Sequence, residues 1–291
     1  PGTIHKFRMD DDDRPAIGGP VSWSPLWALP TILLATSVVL LRDWGSSAWN
    51  LGDGTLHYLQ ARWAPHHAHL FFDRWAKPVF VVIGTGFAQF GPIGLVILDA
   101  LLAAATAICI VCILDQGRRL AVWLVPIMLF FSIQYFTVVI SGLTEPLFGL
   151  ISILCVLLLL RGRHMASMAL LSFTPFIRPE WVVLLPVMVS WAILHRQWRA
   201  LPVLALGPFL YAVTGWLVLK GRFLYFAKDP YQGSTLYPPG PWDHFVTQAS
   251  IVLGEPLLAM ACICLPVLIV LYLRDKAQRA NHLAILMLAV L

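Results

Sequence analysis

Hydrophobic and polar positions alternate along this chain in blocks rather than residue by residue. Apolar stretches cover residues 24–41, 92–114, 120–138, 145–160, 165–176, 181–194, 201–219 and 249–273, and another begins near 283. Crossing roughly 30 Å of hydrocarbon takes about 20 apolar residues as a helix. The pattern therefore predicts an all-α protein, a polytopic bundle of about eight to nine transmembrane helices that is incomplete at its C-terminal end. Short basic turns punctuate the blocks, notably Gln116-Gly117-Arg118-Arg119 and Arg161-Gly162-Arg163, and Arg178-Pro179-Glu180 breaks another pair.

Two long polar intervals interrupt the pattern. The first spans 42–91, and within it Asp53 followed by Thr55, Leu56, Leu59 and Trp63 predicts a short amphipathic helix with Asp53 at its cap. Residues 78–90 are apolar, but too short and too glycine-rich (Gly84, Gly86) to span, so they read as an interfacial or re-entrant helix of the outer layer. The second interval spans 220–248. Residues 1–22, with four consecutive aspartates, read as a disordered cytoplasmic tail, and 23–291 as a single membrane module. The first apolar segment has no small-residue cleavage site after it and reads as a retained helix.

Composition sharpens this picture. The chain of 291 residues is 59% hydrophobic and 12% charged with mean hydropathy +0.77, against about 25% charged in a soluble domain. Its net charge of +5 records topology rather than nucleic-acid affinity. Alternating the spans puts 12 of the 20 Lys and Arg on the face of the N-terminal tail, which makes that face cytoplasmic. Leaving the tail aside, eight of eleven acids fall on the other face: Asp43, Asp53, Asp73, Glu145, Glu180, Asp229, Asp243 and Glu255. The five cysteines lie in apolar runs, and the Cys109–Cys112 pair sits on a predicted membrane helix without a histidine nearby, so they read as small apolar side chains. No repeat of fixed period is visible.

The candidate chemistry is on the non-cytoplasmic face. Asp53 suits a helix cap or a general base, and a capped carboxylate is also an oriented one. Glu145, ahead of Pro146 at a helix mouth, is favoured by the helix dipole yet is a charge that must face protein or water. Arg178 and Glu180 flank Pro179 at a helix break. They suit a local ion pair, or an Arg anchor for phosphate. His66, His67 and His69 invite a metal, but they keep no fixed spacing to acids; neither cofactor nor metal is expected. Asp99, inside an apolar helix, needs a partner that the sequence does not name. The second interval adds Lys228, Tyr231 and other aromatics that suit either sugar stacking or membrane anchoring.

The order of these features resembles the type C glycosyltransferase superfamily, integral membrane enzymes that move a sugar from a polyprenyl-phosphate carrier. Asp53-Gly54-Thr55-Leu56-His57-Tyr58 resembles the acidic motif after the first span. Trp75-Ala76-Lys77-Pro78-Val79-Phe80, ending in Phe90-Gly91, resembles the Trp/Pro-marked outer helix. Thr144-Glu145-Pro146-Leu147-Phe148 and Ile177-Arg178-Pro179-Glu180-Trp181 are similar to the helix-mouth acid and the Arg-Pro-Glu break of the mannosyltransferase-like and protein O-mannosyltransferase-like branches. Asp53 is followed by Gly54 where the family often carries a second acid, which leaves one base candidate and counts against a metal-dependent mechanism. Trp181 stands where a glycine is common. The resemblance implies an inverting transferase facing the periplasm or exterior of a plasma membrane. Its catalytic residues would be Asp53 and Glu145; Arg178, Lys77 and Lys228 would meet the donor phosphate. Substrate contacts would come from His57, Tyr58, Arg74, Glu180 and Tyr231. The expected partners are a polyprenyl-phosphate-linked sugar, a lipid, glycan or protein acceptor, and the bilayer, with no nucleic acid. A flippase of lipid-linked sugars and a non-catalytic subunit with a transferase-like fold are the alternatives.

Overall fold

The computed structural model describes residues 52–114, 124–129, 132–219 and 255–274, together with Leu224, Phe226 and Thr247. The predicted tail 1–22, the first span at 24–41, most of the second polar interval with Lys228 and Tyr231, and the apolar segment from 283 lie outside the described residues. Among the described residues every regular element is helical and there is no strand. In order these are α1 (Asp53–Trp63), α2 (Pro78–Ala88), α3 (Pro92–Leu114), α4 (Ile133–Ile140), α5 (Glu145–Leu160), α6 (His164–Leu171), α7 (Trp181–Leu194), α8 (Leu206–Val218) and α9 (Glu255–Arg274). Three 3₁₀ segments, Ala68–Phe72, Thr174–Phe176 and Trp198–Ala205, join them.

Among the described residues two helices are long and apolar enough to cross a membrane, Pro92–Ile113 and the run Trp198–Val218. A third results if Gln134–Ile140 and Glu145–Leu160 count as one broken span; they meet at 113°. The sequence reading had separate spans there. In the structure Gly142, at φ 67, lets the chain turn sharply between α4 and α5. The expected helix over 165–176 is likewise reduced: α6 has 8 residues and gives way to the Thr174–Phe176 turn, about 12 Å of helix at 1.5 Å per residue.

The centre is built by α3 against α5. Leu95, Leu98 and Leu102 meet Leu147, Phe148, Ile151, Cys155 and Leu159, and α6 and α7 complete the cluster with Met168, Leu171, Leu184 and Met188. Between membrane helices close packing and a few polar bonds do most of the holding. Ser167 Oγ donates to the Cys155 carbonyl at 2.9 Å, tying α6 to α5. The turn between them is a Schellman cap. Gly162 takes φ 70, and the N–H groups of Arg163 and Gly162 reach back to Leu158 and Leu159 at 2.8 and 2.9 Å.

In the first interval α1 and α2 form a hairpin laid against the top of α3. Ala61, Phe80 and Ala88 face the core, and a Cβ on Gly84 would lie 3.2 Å from Leu95 and 3.6 Å from Ala61. The apolar stripe of α1 faces outward instead: Leu56, Leu59 and Trp63 are 48%, 41% and 49% exposed, while His57 and Ala61 are buried. Asp53 is also not the cap the sequence predicted. Gly52 occupies the N-cap at φ 84, and Asp53 is the first helical residue without a side-chain capping bond.

Candidate functional site

Three chain breaks converge on one pocket. It encloses about 420 Å³ of atom-free space open to solvent, and is lined by Asp53, His57, Trp75, Lys77, Leu143, Thr144, Glu145, Arg178 and Pro179. Asp53 and His57 come from α1, Trp75 and Lys77 from the turn before α2, Leu143 to Glu145 from the α4–α5 break, and Arg178 and Pro179 from the turn before α7.

Local chemistry explains each placement. At Gly54 a Cβ would sit 2.1 Å from the Ser141 carbonyl oxygen, so glycine lets the start of α1 press against the α4–α5 break. That contact sets Asp53 on the same pocket as Glu145. Asp73 arranges the next wall: its Oδ1 accepts from the Trp75 and Ala76 N–H groups at 2.8 and 3.4 Å, and its Oδ2 accepts from Gln60 at 3.1 Å. This Asx-type turn aims Trp75 and Lys77 inward and fastens them to α1. Lys77 closes it at φ 63, a left-handed conformation unusual for lysine. Pro78 then opens α2.

Electrostatically the pocket is tightly paired. Arg178 Nε donates to Glu180 Oε2 at 2.9 Å and Nη2 donates to Glu180 Oε1 at 2.5 Å. Its Nη1 pairs with Glu145 Oε1 and donates to Thr144 Oγ1 at 3.4 Å. Of the five N–H of a guanidinium, one goes out from Nε, two from Nη1 and one from Nη2, which leaves a single Nη2–H. Burial opposes the Arg178 charge, yet Glu180 and Glu145 outweigh it and raise its pKa. Burial likewise opposes ionisation of Glu180, but Arg178 outweighs it and holds the carboxyl below its ordinary value.

Lys77 is 8% exposed. Burial first, and Arg178 second, bring its amine down to about 8, against the pull of Glu180, Asp53 and Glu145. His57 stacks on Trp75 (centroids 5.0 Å, 20°) and meets Phe80 edge-on at 5.6 Å. Burial, then Lys77 and Arg178, push it down to about 3, and its Nδ1 is sealed without a hydrogen-bond partner. It is therefore a neutral ring at physiological pH.

Of the residues singled out from the sequence, Asp53, His57, Lys77, Glu145 and Arg178 line the pocket, and Glu180 stands beside it on Arg178. Two others do not line it. The Tyr58 hydroxyl accepts from Arg62 at 3.0 Å, and Arg74 lies in the Asp73 turn outside the lining. Lys228 and Tyr231 are outside the described residues. Trp75 and Thr144 were not assigned to the site from sequence, although each stands within two residues of a lining charge. The three histidines 66, 67 and 69 are exposed; the rings of His66 and His67 lie 5.9 and 6.4 Å from Trp63, and that of His69 lies 6.0 Å from His67. No cluster of three His, Cys, Asp or Glu fit to hold a metal is present among the described residues. No protein-family model, curated protein or solved structure matches this chain.

Proposed function

We propose that this chain is a membrane glycosyltransferase of the type C kind, moving a hexose such as mannose from a polyprenyl-phosphate donor to an acceptor on the non-cytoplasmic face. The observation that supports this reading is one pocket in which two acids from separate elements, Asp53 and Glu145, face two cations, Lys77 and Arg178. Asp53, outside the Arg178 network, orients the acceptor hydroxyl or takes its proton, and the hydroxyl oxygen attacks the anomeric carbon with inversion as polyprenyl phosphate leaves. The leaving phosphate needs charge stabilisation more than protonation. Lys77 and Arg178 both line the pocket to meet it, and the phosphate reaches Arg178 by displacing Glu145. Trp75, stacked on His57, offers an apolar wall for a sugar ring. The proposed frame is a bundle of eight to nine spans in the plasma membrane, its N-terminus cytoplasmic, with α1 and α2 at the outer surface.

The test uses the full-length protein in lipid with a polyprenyl-phosphate-linked hexose and a membrane extract as acceptor source. Release of polyprenyl phosphate is expected to fall about 10²- to 10⁴-fold in Asp53→Asn, the range for a lost general base. Unchanged turnover removes Asp53 from the mechanism. No turnover with any such donor removes the enzyme.

A further inference from the structure

Two turns close the bundle at the end away from the pocket. α5 and α7 both begin at the pocket, one with Glu145 and the other just after Arg178 and Pro179, and run for 16 and 14 residues. That carries them about 24 and 21 Å at 1.5 Å per residue. α5 ends in Arg161-Gly162-Arg163 and α7 in His195-Arg196, followed by Gln197-Trp198-Arg199. A run of rings joins the two turns: His164 lies 5.2 Å from Trp191, and Trp191 stacks on His195 at 4.2 Å and 17°. The Trp198–Ala205 segment also packs on α6. Arg161, Arg163, Arg196 and Arg199 are all exposed, and among the described residues none of them pairs with a carboxylate. Leu194 and Trp198 are exposed beside them.

Both turns are one motif built on different residues. In the second, the Gln197 and Arg196 N–H groups reach back to Ala192 and Ile193 at 2.8 and 3.0 Å, the same Schellman pattern that follows α5. The left-handed position belongs to Gly162 in one turn and to Arg196, at φ 56, in the other. Glycine takes that conformation freely, whereas a β-carbon there is unfavourable. The dipole at a helix C-terminus welcomes a cation, yet any position in the last turn would serve it, and Arg199 lies beyond the helix. An arginine thus stands where glycine fits better, among three others that no acid neutralises. We propose that this end of the bundle binds anionic phospholipid headgroups, with the four guanidiniums on the phosphates and Leu194 and Trp198 seated in the leaflet beneath them. The guanidinium fork matches phosphate oxygens, and basic residues at a membrane surface attract anionic lipid. Trp198 opens an apolar run long enough to cross a membrane, the depth at which tryptophan anchors. The surface requires that the chain spans a membrane and draws nothing from the transfer reaction.

The full-length protein in phosphatidylcholine bilayers, with a trace of photoactivatable phosphatidylglycerol or of photoactivatable phosphatidylcholine, provides the test. Mass spectrometry of the labelled peptides is expected to show phosphatidylglycerol enriched over phosphatidylcholine at residues 161–165 and 193–199. Arg196→Gly should cut that enrichment about fivefold, the worth of one basic residue at an anionic surface, while its thermal melting in phosphatidylcholine alone stays at or above the wild-type value. Arg199→Gln, which leaves the backbone of the turn alone, should cut it similarly. Equal labelling by the two lipids overturns the proposal, as does an enrichment that neither variant lowers. Loss of the label to glycerol phosphate added in solution would make the ligand a soluble phosphate and overturn the lipid assignment. Labelling that appears only when Asp10 to Asp13 are changed to asparagine would make the acidic tail the occupant, which also overturns it. A lower melting temperature for Arg196→Gly would place that arginine there for the fold and remove it from the surface. None of these readouts involves sugar transfer, so their failure and that of the transferase reading are distinct results.

Discussion

Lys77 gathers several of the site's properties in one residue: a left-handed backbone, a nearly sealed side chain and an amine lowered to about 8. The sign of the resulting pH dependence follows. On the proposed reading the amine meets the donor phosphate only when protonated, so donor affinity should be level below pH 8 and fall about tenfold per pH unit above it. Lys77→Arg, whose side chain stays charged, should flatten that fall; titrating donor binding from pH 6 to 10 checks both. Folding moves oppositely. The lowered amine makes the unfolded chain the better proton binder between about 8 and 10.5, so this group's contribution to stability rises with pH across that window. At this scale the sequence revealed which groups carry charge but not how they pair. Arg178 with Glu180 was legible because the two are neighbours around Pro179. Its second partner, Glu145, is 33 positions away, and no local pattern encodes that contact. Asp53 was misplaced at the cap because its residue type suits a cap, whereas the positive φ at position 52 requires glycine there.

The elements hold the pocket by close backbone approach. Gly54 shows how little slack exists: a methyl at that position meets the Ser141 carbonyl at 2.1 Å, and a backbone oxygen cannot swing aside. Gly54→Ala should destabilise the protein by about 1–3 kcal/mol, the range for overpacking. It should also depress turnover beyond what the loss of folded protein explains, since it lifts Asp53 from Glu145. Thermal melting and activity per folded molecule, measured together, test the claim; wild-type values for both would show that α1 does not need this seat. Helix limits were legible where proline and glycine mark them. Residues 92–114 and 181–194 fold over the ranges their patterns gave. The region 120–138 lies partly outside the described residues; what its apolar pattern did not announce is the 113° bend after Ile140, since composition reports burial but not direction and the bend depends on one glycine conformation.

For the molecule as a whole, the outward-facing side of the first interval matters most. α1 presents Leu56, Leu59 and Trp63, and the region of α2 presents Val82 at 54% and Phe90 at 77% exposure. These side chains leave apolar surface beside a charged pocket, which a membrane interface can cover. On the proposed transferase reading, a lipid-borne donor would then arrive sideways through the leaflet. In vesicles holding a fixed amount of enzyme and donor, added inert phospholipid should slow transfer in proportion to the fall in the donor's mole fraction. A rate that followed bulk donor concentration would put the donor in water and α1 away from the interface. Encounter on such a surface is counted per unit area rather than per litre. Flux would respond to how crowded the leaflet is with carrier, and a membrane that grew without making more carrier would starve this enzyme while its total substrate stayed constant.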